Sequence, residues 1–183
     1  RPGQKFSLQP ALNYQGKLDS PGYSYEFCGG ACTYCIMPHE VMELGCLLDY
    51  TGESFFEASL GEPMSCIIGG YHANYHTNKK NYGHAMGTKE DGNILIMGGC
   101  GPMGLGAVSY GLQFENKPRR IVVTDISDDR IQRAREVISE ESAKKRGIEL
   151  RYVNTAAMED PIAELMAITE GHGYDDVFVY VPN

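Results

Sequence analysis

Apolar positions fall into two textures along this chain. From about residue 93 onward, short continuous apolar runs alternate with segments whose apolar residues recur at helical spacing. Ile94-Leu95-Ile96-Met97 and Ile121-Val122-Val123-Thr124 read as buried strands, Leu150-Arg151-Tyr152-Val153 as a weaker third, and Val177-Phe178-Val179-Tyr180-Val181 as a strong fourth. Between the second and third, Ile131, Ala134, Val137 and Ile138 repeat at helical spacing, and Gly147 after Lys-Lys-Arg is a stop signal. Asp160-Pro161 reads as an N-cap followed by proline at the first helical position. Ile162, Leu165, Met166 and Thr169 then mark one face, and Gly171 ends the helix. Strand–helix–strand at this rhythm predicts a parallel sheet with helices on its faces, an α/β fold.

The first part of the chain, to about residue 65, is different. It is rich in Gly, Pro, Tyr and Cys with short apolar runs, which predicts irregular β structure with many turns. Between the two lies GGYHANYHTNKKNYGHAMGTKEDG, polar and rich in Tyr, Asn and His. Its start reads as a short helix and the rest as a long connection.

Size and charge narrow the classes. The chain has 183 residues, room for one large domain or parts of two. An apolar fraction of 42% can fill a core, and no segment is apolar for long enough to cross a bilayer. A net charge of −8 argues against nucleic acid as partner, and the acidic balance suits work on small molecules. Six cysteines scattered through ordinary sequence read as reduced thiols in a cytoplasmic protein rather than a disulfide framework. No signal peptide is expected at RPGQKFSLQP, and the chain reads as cut at both ends, before Arg1 and after VPN.

The strongest motif is NILIMGGCGPMGLGAVSYG, in which Gly99, Gly101 and Gly104 make GxGxxG directly after a strand and at the opening of a helix. Gly99 would permit the tight turn, Gly101 the approach of a pyrophosphate, and Gly104 close packing of helix on strand. Pro102 and Met103 lie in the same turn, where the helix N-terminus offers N–H groups and a positive dipole end. About twenty residues further, at the end of the second strand, Asp125 can accept hydrogen bonds from the adenosine ribose and repel a 2′-phosphate. The cofactor expected is NAD, with NADP possible, and Arg130 either reaches the same ribose or stands as a solvated helix-surface arginine.

Two other constellations compete. Cys28, Cys32 and Cys35 stand at the CxxxCxxC spacing that holds a [4Fe–4S] cluster in radical enzymes. Buried thiols in a strand are the alternative, since neighbouring strand positions face opposite ways. His72 and His76, at i and i+4, could share a metal, or sit in a polar connection with aromatic contacts; no Glu lies between them to act as a base.

With GGCGPMGLGA and TDISDDR in view, the chain resembles the zinc-dependent medium-chain dehydrogenase/reductase family. RPGQKFSLQP is similar to that family's PGD-x-V strand, GGACTYCIMP to its GGFAEYVVVP strand, and Glu62-Pro63-Met64-Ser65 to its Glu-Pro helix start. EPMSCIIGGYHANYH, GGCGPMGL and GHGYDDVFVYVPN resemble most the sorbitol-dehydrogenase-like group of L-sorbose-1-phosphate reductases.

The resemblance implies a partial Rossmann doubly wound sheet over 93–183, a connecting segment over 71–92, and over 1–70 the C-terminal part of a GroES-like, β-rich catalytic domain. It implies hydride transfer between a nicotinamide cofactor and a polyol or keto-sugar, such as L-sorbose 1-phosphate, in a homo-oligomer. It also implies a catalytic zinc with Glu62 as one ligand and the rest upstream of Arg1; read from its position alone, Glu62 is equally a helix N-terminal carboxylate. The family's structural four-cysteine zinc site has no counterpart here. Only four of the usual six strands are expected, so adenosine-half binding without turnover is the expectation for this piece. A zinc-free reductase of the same fold and a non-catalytic nucleotide-binding protein stay open.

Overall fold

The computed structural model describes residues 2–78 and 80–181; expectations that touch Arg1, Lys79, Pro182 and Asn183 lie outside the described residues. The chain divides into two compact units after Pro63.

In the first unit, β1 (Phe6–Leu8) pairs antiparallel with β2 (Leu47–Asp49), Ser7 opposite Leu48. The short helices α1 (His39–Glu43) and α2 (Phe55–Ser59) precede and follow β2. Ser54 caps α2 by accepting the Glu57 N–H, and the Lys5 ammonium donates to the carbonyls of Gly52 and Glu53 at 3.0 and 3.2 Å. Leu12, Cys28 and Val41 are buried here. The expected strand over GGACTYCIMP does not form: residues 29–38 are irregular up to Pro38. A strand needs a neighbour to pair with, and none of the described strands runs beside this stretch. Instead the Ile36 N–H donates to the Phe27 carbonyl at 2.8 Å, closing the intervening residues into a loop.

The second unit holds most of α3 (Gly61–Ala73), which begins in the first. The polar segment after it is not merely a connection. It forms a hairpin of β3 (Tyr75–Thr77) and β4 (His84–Met86), with His76 opposite Ala85. Then come β5 (Asn93–Met97), α4 (Pro102–Gly111), β6 (Arg120–Asp125), α5 (Asp128–Val137), α6 (Glu140–Lys145), β7 (Glu149–Asn154), α7 (Pro161–Ile168) and β8 (Asp176–Val179). The last four strands lie parallel in the order β7-β6-β5-β8. The chain steps outward from β5 to β7, then crosses back to lay β8 on the far side of β5. That reversal is the switch point of a doubly wound sheet, where a crevice opens at the carboxyl ends of the strands.

Every residue of β6 is buried, as a central strand covered on both faces requires. β8 alternates instead: Asp176 and Phe178 are buried while Val177 and Val179 are exposed. Among the described residues it pairs with β5 alone, so one edge and part of one face are open. The helix expected through to Gly147 breaks in two. Ile138 leaves the helical conformation, and Ser139 caps α6 by accepting the Ser142 N–H. Val137, on the flank of the apolar stripe, is exposed, and so is Ile162 in the first turn of α7. Asp160 caps α7 as expected, accepting from the amides of Ile162 and Ala163.

Packing centres on Tyr71 of α3, fully buried. Its ring stacks on Phe178 at 4.6 Å and meets Tyr110 and Phe114 edge-on. Its hydroxyl donates to the Ala107 carbonyl at 2.8 Å, and burial pushes the phenol far above its ordinary pKa. At the amino end of the sheet, two adjacent carboxylates are satisfied separately. Asp176 accepts from the Lys89 amide and meets His76 at 3.0 Å. Asp175 accepts from the Asn93 amide at 2.9 Å and pairs with the Lys89 ammonium. Burial works against the Asp175 charge, but these two donors and His76 more than offset it and hold its carboxyl below the usual range.

Replacing Tyr71 by Ala should cost about 3–5 kcal/mol in urea unfolding, and Tyr71→Phe about 1 kcal/mol; equal losses would disprove the packing account. Asp175 also sets a pH dependence. A carboxyl held low in the folded state adds stability that is complete above its unfolded value, about 4, and lost as pH falls through the lowered folded value. Asp175→Asn, which keeps an oxygen for the Asn93 amide, should therefore flatten the acid limb of the stability curve. An unchanged acid limb would remove Asp175 from the account.

Candidate nucleotide-binding site

β5 ends in Gly98-Gly99-Cys100-Gly101, and α4 starts at Pro102. From sequence, the tight turn belongs to Gly99. In the structure the left-handed residue is Gly98, at φ +66°, where a Cβ would also approach Val181 Cγ1 to 2.6 Å. Gly99 is required for a different reason. Its N–H donates to the Thr124 carbonyl of β6 at 2.9 Å, and a Cβ would meet Val123 Cγ1 at 2.5 Å. A Cβ on Gly104 would overlap the Cα and carbonyl of Gly99, so these two backbones touch and seat α4 on the sheet.

Gly101 is the exception. It is the N-cap of α4 in extended backbone at φ −86°, and a Cβ there would meet nothing within 4 Å. Among the described residues, no neighbour requires that position to be glycine. Pro102, at the first helical position, has no N–H to leave unsatisfied, and Met103 is half-buried behind it. The remaining first-turn amides lack intrahelical acceptors, and the positive end of the helix dipole lies beside the open face of Gly101.

Asp125 closes β6 and is buried. Its Oδ1 accepts from the amides of Ile126 at 2.8 Å and Ser127 at 3.2 Å, which fixes the turn into α5. Ser127 then caps α5 by accepting the Arg130 amide, and Arg130 Nη1 stands 3.9 Å from Asp125 Oδ1 with most of its side chain exposed. Asp125 and the glycine turn are electrostatic neighbours. Burial pushes the Cys100 thiol up to about 11, the Asp125 charge adds to the rise, and Arg135 and Arg130 oppose it. The structure thus gathers Gly99, Gly101, Pro102, Met103, Gly104, Asp125 and Arg130 at the carboxyl edge of β5 and β6. Gly98 and Ser127 complete the arrangement. The doubled glycine of GGCG and the Ser-Asp-Asp start of a helix were their signals in the sequence.

Glu62 lies in the first unit, half-buried in the first turn of α3, and borders a cavity of about 480 Å³ together with Pro10, Cys28 and Cys35. His72 and His76 do not face a common metal. His72 Nε2 meets the Tyr110 hydroxyl at 3.0 Å and its ring lies edge-on to Phe114, while His76 meets Asp176. His84, on β4, lies beside the Tyr75 ring. Among the described residues, no group of three His, Cys, Asp or Glu side chains could hold a metal ion, and no helix is long and apolar enough to cross a membrane.

No family model matches the chain. Curated proteins do. Mannitol-1-phosphate 5-dehydrogenase of Aliivibrio fischeri is 51% identical over 97% of this chain, and L-sorbose 1-phosphate reductase of Klebsiella pneumoniae is 40% identical over all of it. The chain spans only 42% and 43% of those two relatives. Among solved structures, AibC aligns at a TM-score of 0.53 and 19% identity, over 96% of this chain and 49% of its own, a likeness of fold. A dehydrogenase and a reductase among the relatives lend no support to the iron–sulfur radical reading of the three cysteines. Along nearly its whole length the chain is thus homologous to part of two sugar-phosphate oxidoreductases, a mannitol-1-phosphate 5-dehydrogenase and an L-sorbose 1-phosphate reductase.

Proposed function

We propose that the chain is part of an oxidoreductase that moves a hydride between a nicotinamide cofactor and a polyol or keto-sugar phosphate. In this reading the residues from 93 onward hold the adenosine-diphosphate half of the cofactor, 71–92 connect, and 1–70 belong to the catalytic domain. The observation that carries it is Gly101: an open position at a helix N-terminus, flanked by two glycines that packing demands, with Asp125 at the adjacent strand tip. A diphosphate fits there, close to backbone and to the helix dipole. The Asp125 carboxylate would accept from the ribose hydroxyls through Oδ2, since Oδ1 already serves two amides. Its charge opposes a 2′-phosphate, so NAD is favoured, while Arg130 at 3.9 Å leaves NADP within reach.

The sugar phosphates named for the two curated relatives support the substrate class, with L-sorbose 1-phosphate and mannitol 1-phosphate as the compounds to try first. The same reading makes the whole protein a cytoplasmic homo-oligomer. Zinc is a separate matter. A catalytic zinc takes three protein ligands, and the described residues do not fit one: Glu62 is the single donor the family resemblance assigns.

Gly101→Val should cost about 1 kcal/mol or less in stability yet weaken NAD binding by calorimetry at least tenfold; binding at full strength would refute the pyrophosphate assignment. Asp125→Asn keeps an oxygen for the Ile126 and Ser127 amides but removes the charge. It should lower NAD affinity and raise the ratio of NADP to NAD binding, and it should bring the Cys100 thiol down from about 11. A variant with the parent's cofactor preference would place the ribose elsewhere.

A further inference from the structure

The loop from Cys28 to Cys35 in the first unit carries thiols that the nucleotide site does not use. The hydrogen bond from the Ile36 amide to the Phe27 carbonyl, 2.8 Å, closes this loop at its neck. Cys28 and Cys35 are the residues just inside that bond. Both border the cavity of about 480 Å³ that Glu62 also borders. Cys28 is buried and Cys35 exposed, so one thiol is shielded and the other open to solvent. Partial burial pushes the Cys35 thiol up, and the Cys28 thiol beside it, within hydrogen-bonding reach, adds to the rise; a hydrogen bond with Cys32 pulls it back. The Cys32 sulfur is also engaged with the Gly29 carbonyl at 2.9 Å. Gly29 and Gly30 meet no neighbours where a Cβ would be, so no side chain packs against that part of the loop between the sulfurs.

We propose that Cys28 and Cys35 are a redox site: they form a reversible intrachain disulfide by exchange with a low-molecular-weight disulfide, on the wall of the cavity that holds Glu62. Cys35, as thiolate, attacks one sulfur of the reagent, forming a mixed disulfide and releasing the other half as a thiolate. Cys28, once deprotonated, attacks the Cys35 sulfur and expels the second half. The two protein thiols give up two electrons and two protons, and the reagent is reduced to two thiols that take up both. Cys35 starts the exchange because it is exposed, and Cys28 finishes it because it sits across the neck of the loop. The site is independent of the nucleotide reading.

The test is peptide mapping by mass spectrometry. The folded 183-residue chain is treated with oxidised glutathione at mildly alkaline pH, then acid-quenched and alkylated. A Cys28–Cys35 cross-link that dithiothreitol reverses is expected in the parent and in Cys32→Ser, and should be absent in Cys35→Ser. Cys35 is exposed, so circular dichroism should show that variant folded like the parent. A chain unfolded in urea before treatment should give mixed pairings. A dominant Cys32–Cys35 link in the folded chain, or glutathione adducts without any cross-link, would overturn the proposal.

Discussion

Two backbones touching without side chains, Gly99 and Gly104, hold the second unit in its arrangement. Because neither carries a Cβ, α4 begins directly against the end of β5 instead of standing off by a side chain's thickness. That contact fixes the direction of α4, and the helix carries two further close approaches. A Cβ on Gly106 would meet Ile67 Cδ1 at 2.6 Å, and one on Gly111 would collide with the Tyr71 hydroxyl. α3 can therefore lie close along α4, which brings the Tyr71 ring onto Phe178 of β8. The turn, the crossover helix, the preceding helix and the outer strand form one line of packing. A side chain added at its origin would disturb every later step.

The two ends of the parallel sheet use acids in opposite ways. At the amino end, Asp175 and Asp176 are taken up by Lys89, Asn93 and His76, and these bonds fasten the approach to β5 and the β3–β4 hairpin. A cross-strand ion pair of Arg120 and Glu149 at 2.7 Å, inside the β6–β7 register, adds to that closed end. At the carboxyl end, Asp125 satisfies its own turn with one oxygen and stands beside the unfilled surface of Gly101. The carboxylates at the structural end of the sheet are taken up by partners, although the buried Thr88 hydroxyl beside Lys89 has none among the described residues. Asp125 keeps its second oxygen free of those turn bonds where the strand order reverses, which is where a doubly wound sheet binds its ligand.

The parts of this fold that repeat a short-range rule were legible in the sequence. Continuous apolar runs marked β5, β6, β7 and β8 to within a few residues, and the aspartate–proline pair marked the start of α7. Residues whose state depends on a partner elsewhere were not legible. GGACTYCIMP has the composition of a strand but, among the described residues, lacks a strand to pair with. Tyr75–Thr77 and His84–Met86 are too polar and too short to announce a hairpin, and they form one where His76 reaches Asp176. Gly98 and Gly99 are indistinguishable as letters. Only the backbone shows that one supplies the left-handed turn and the other the space.

The cysteines are a finer case of the same dependence on surroundings. Cys100 stands in the glycine turn, where a thiolate would set a negative charge against any diphosphate brought to the helix N-terminus. Burial and the neighbouring Asp125 hold its thiol near 11, so it stays protonated and neutral at physiological pH. An ordinary thiol is already mostly neutral at that pH; burial first, and the Asp125 charge second, widen the margin. Cys28 and Cys35 sit in a loop whose closure sets one thiol beside another, with one of them open to solvent. Burial and a neighbouring acid raise the thiol in one unit, while in the other exposure of Cys35 beside Cys28 is what opens a pair of thiols to exchange; cysteine spacing encodes neither.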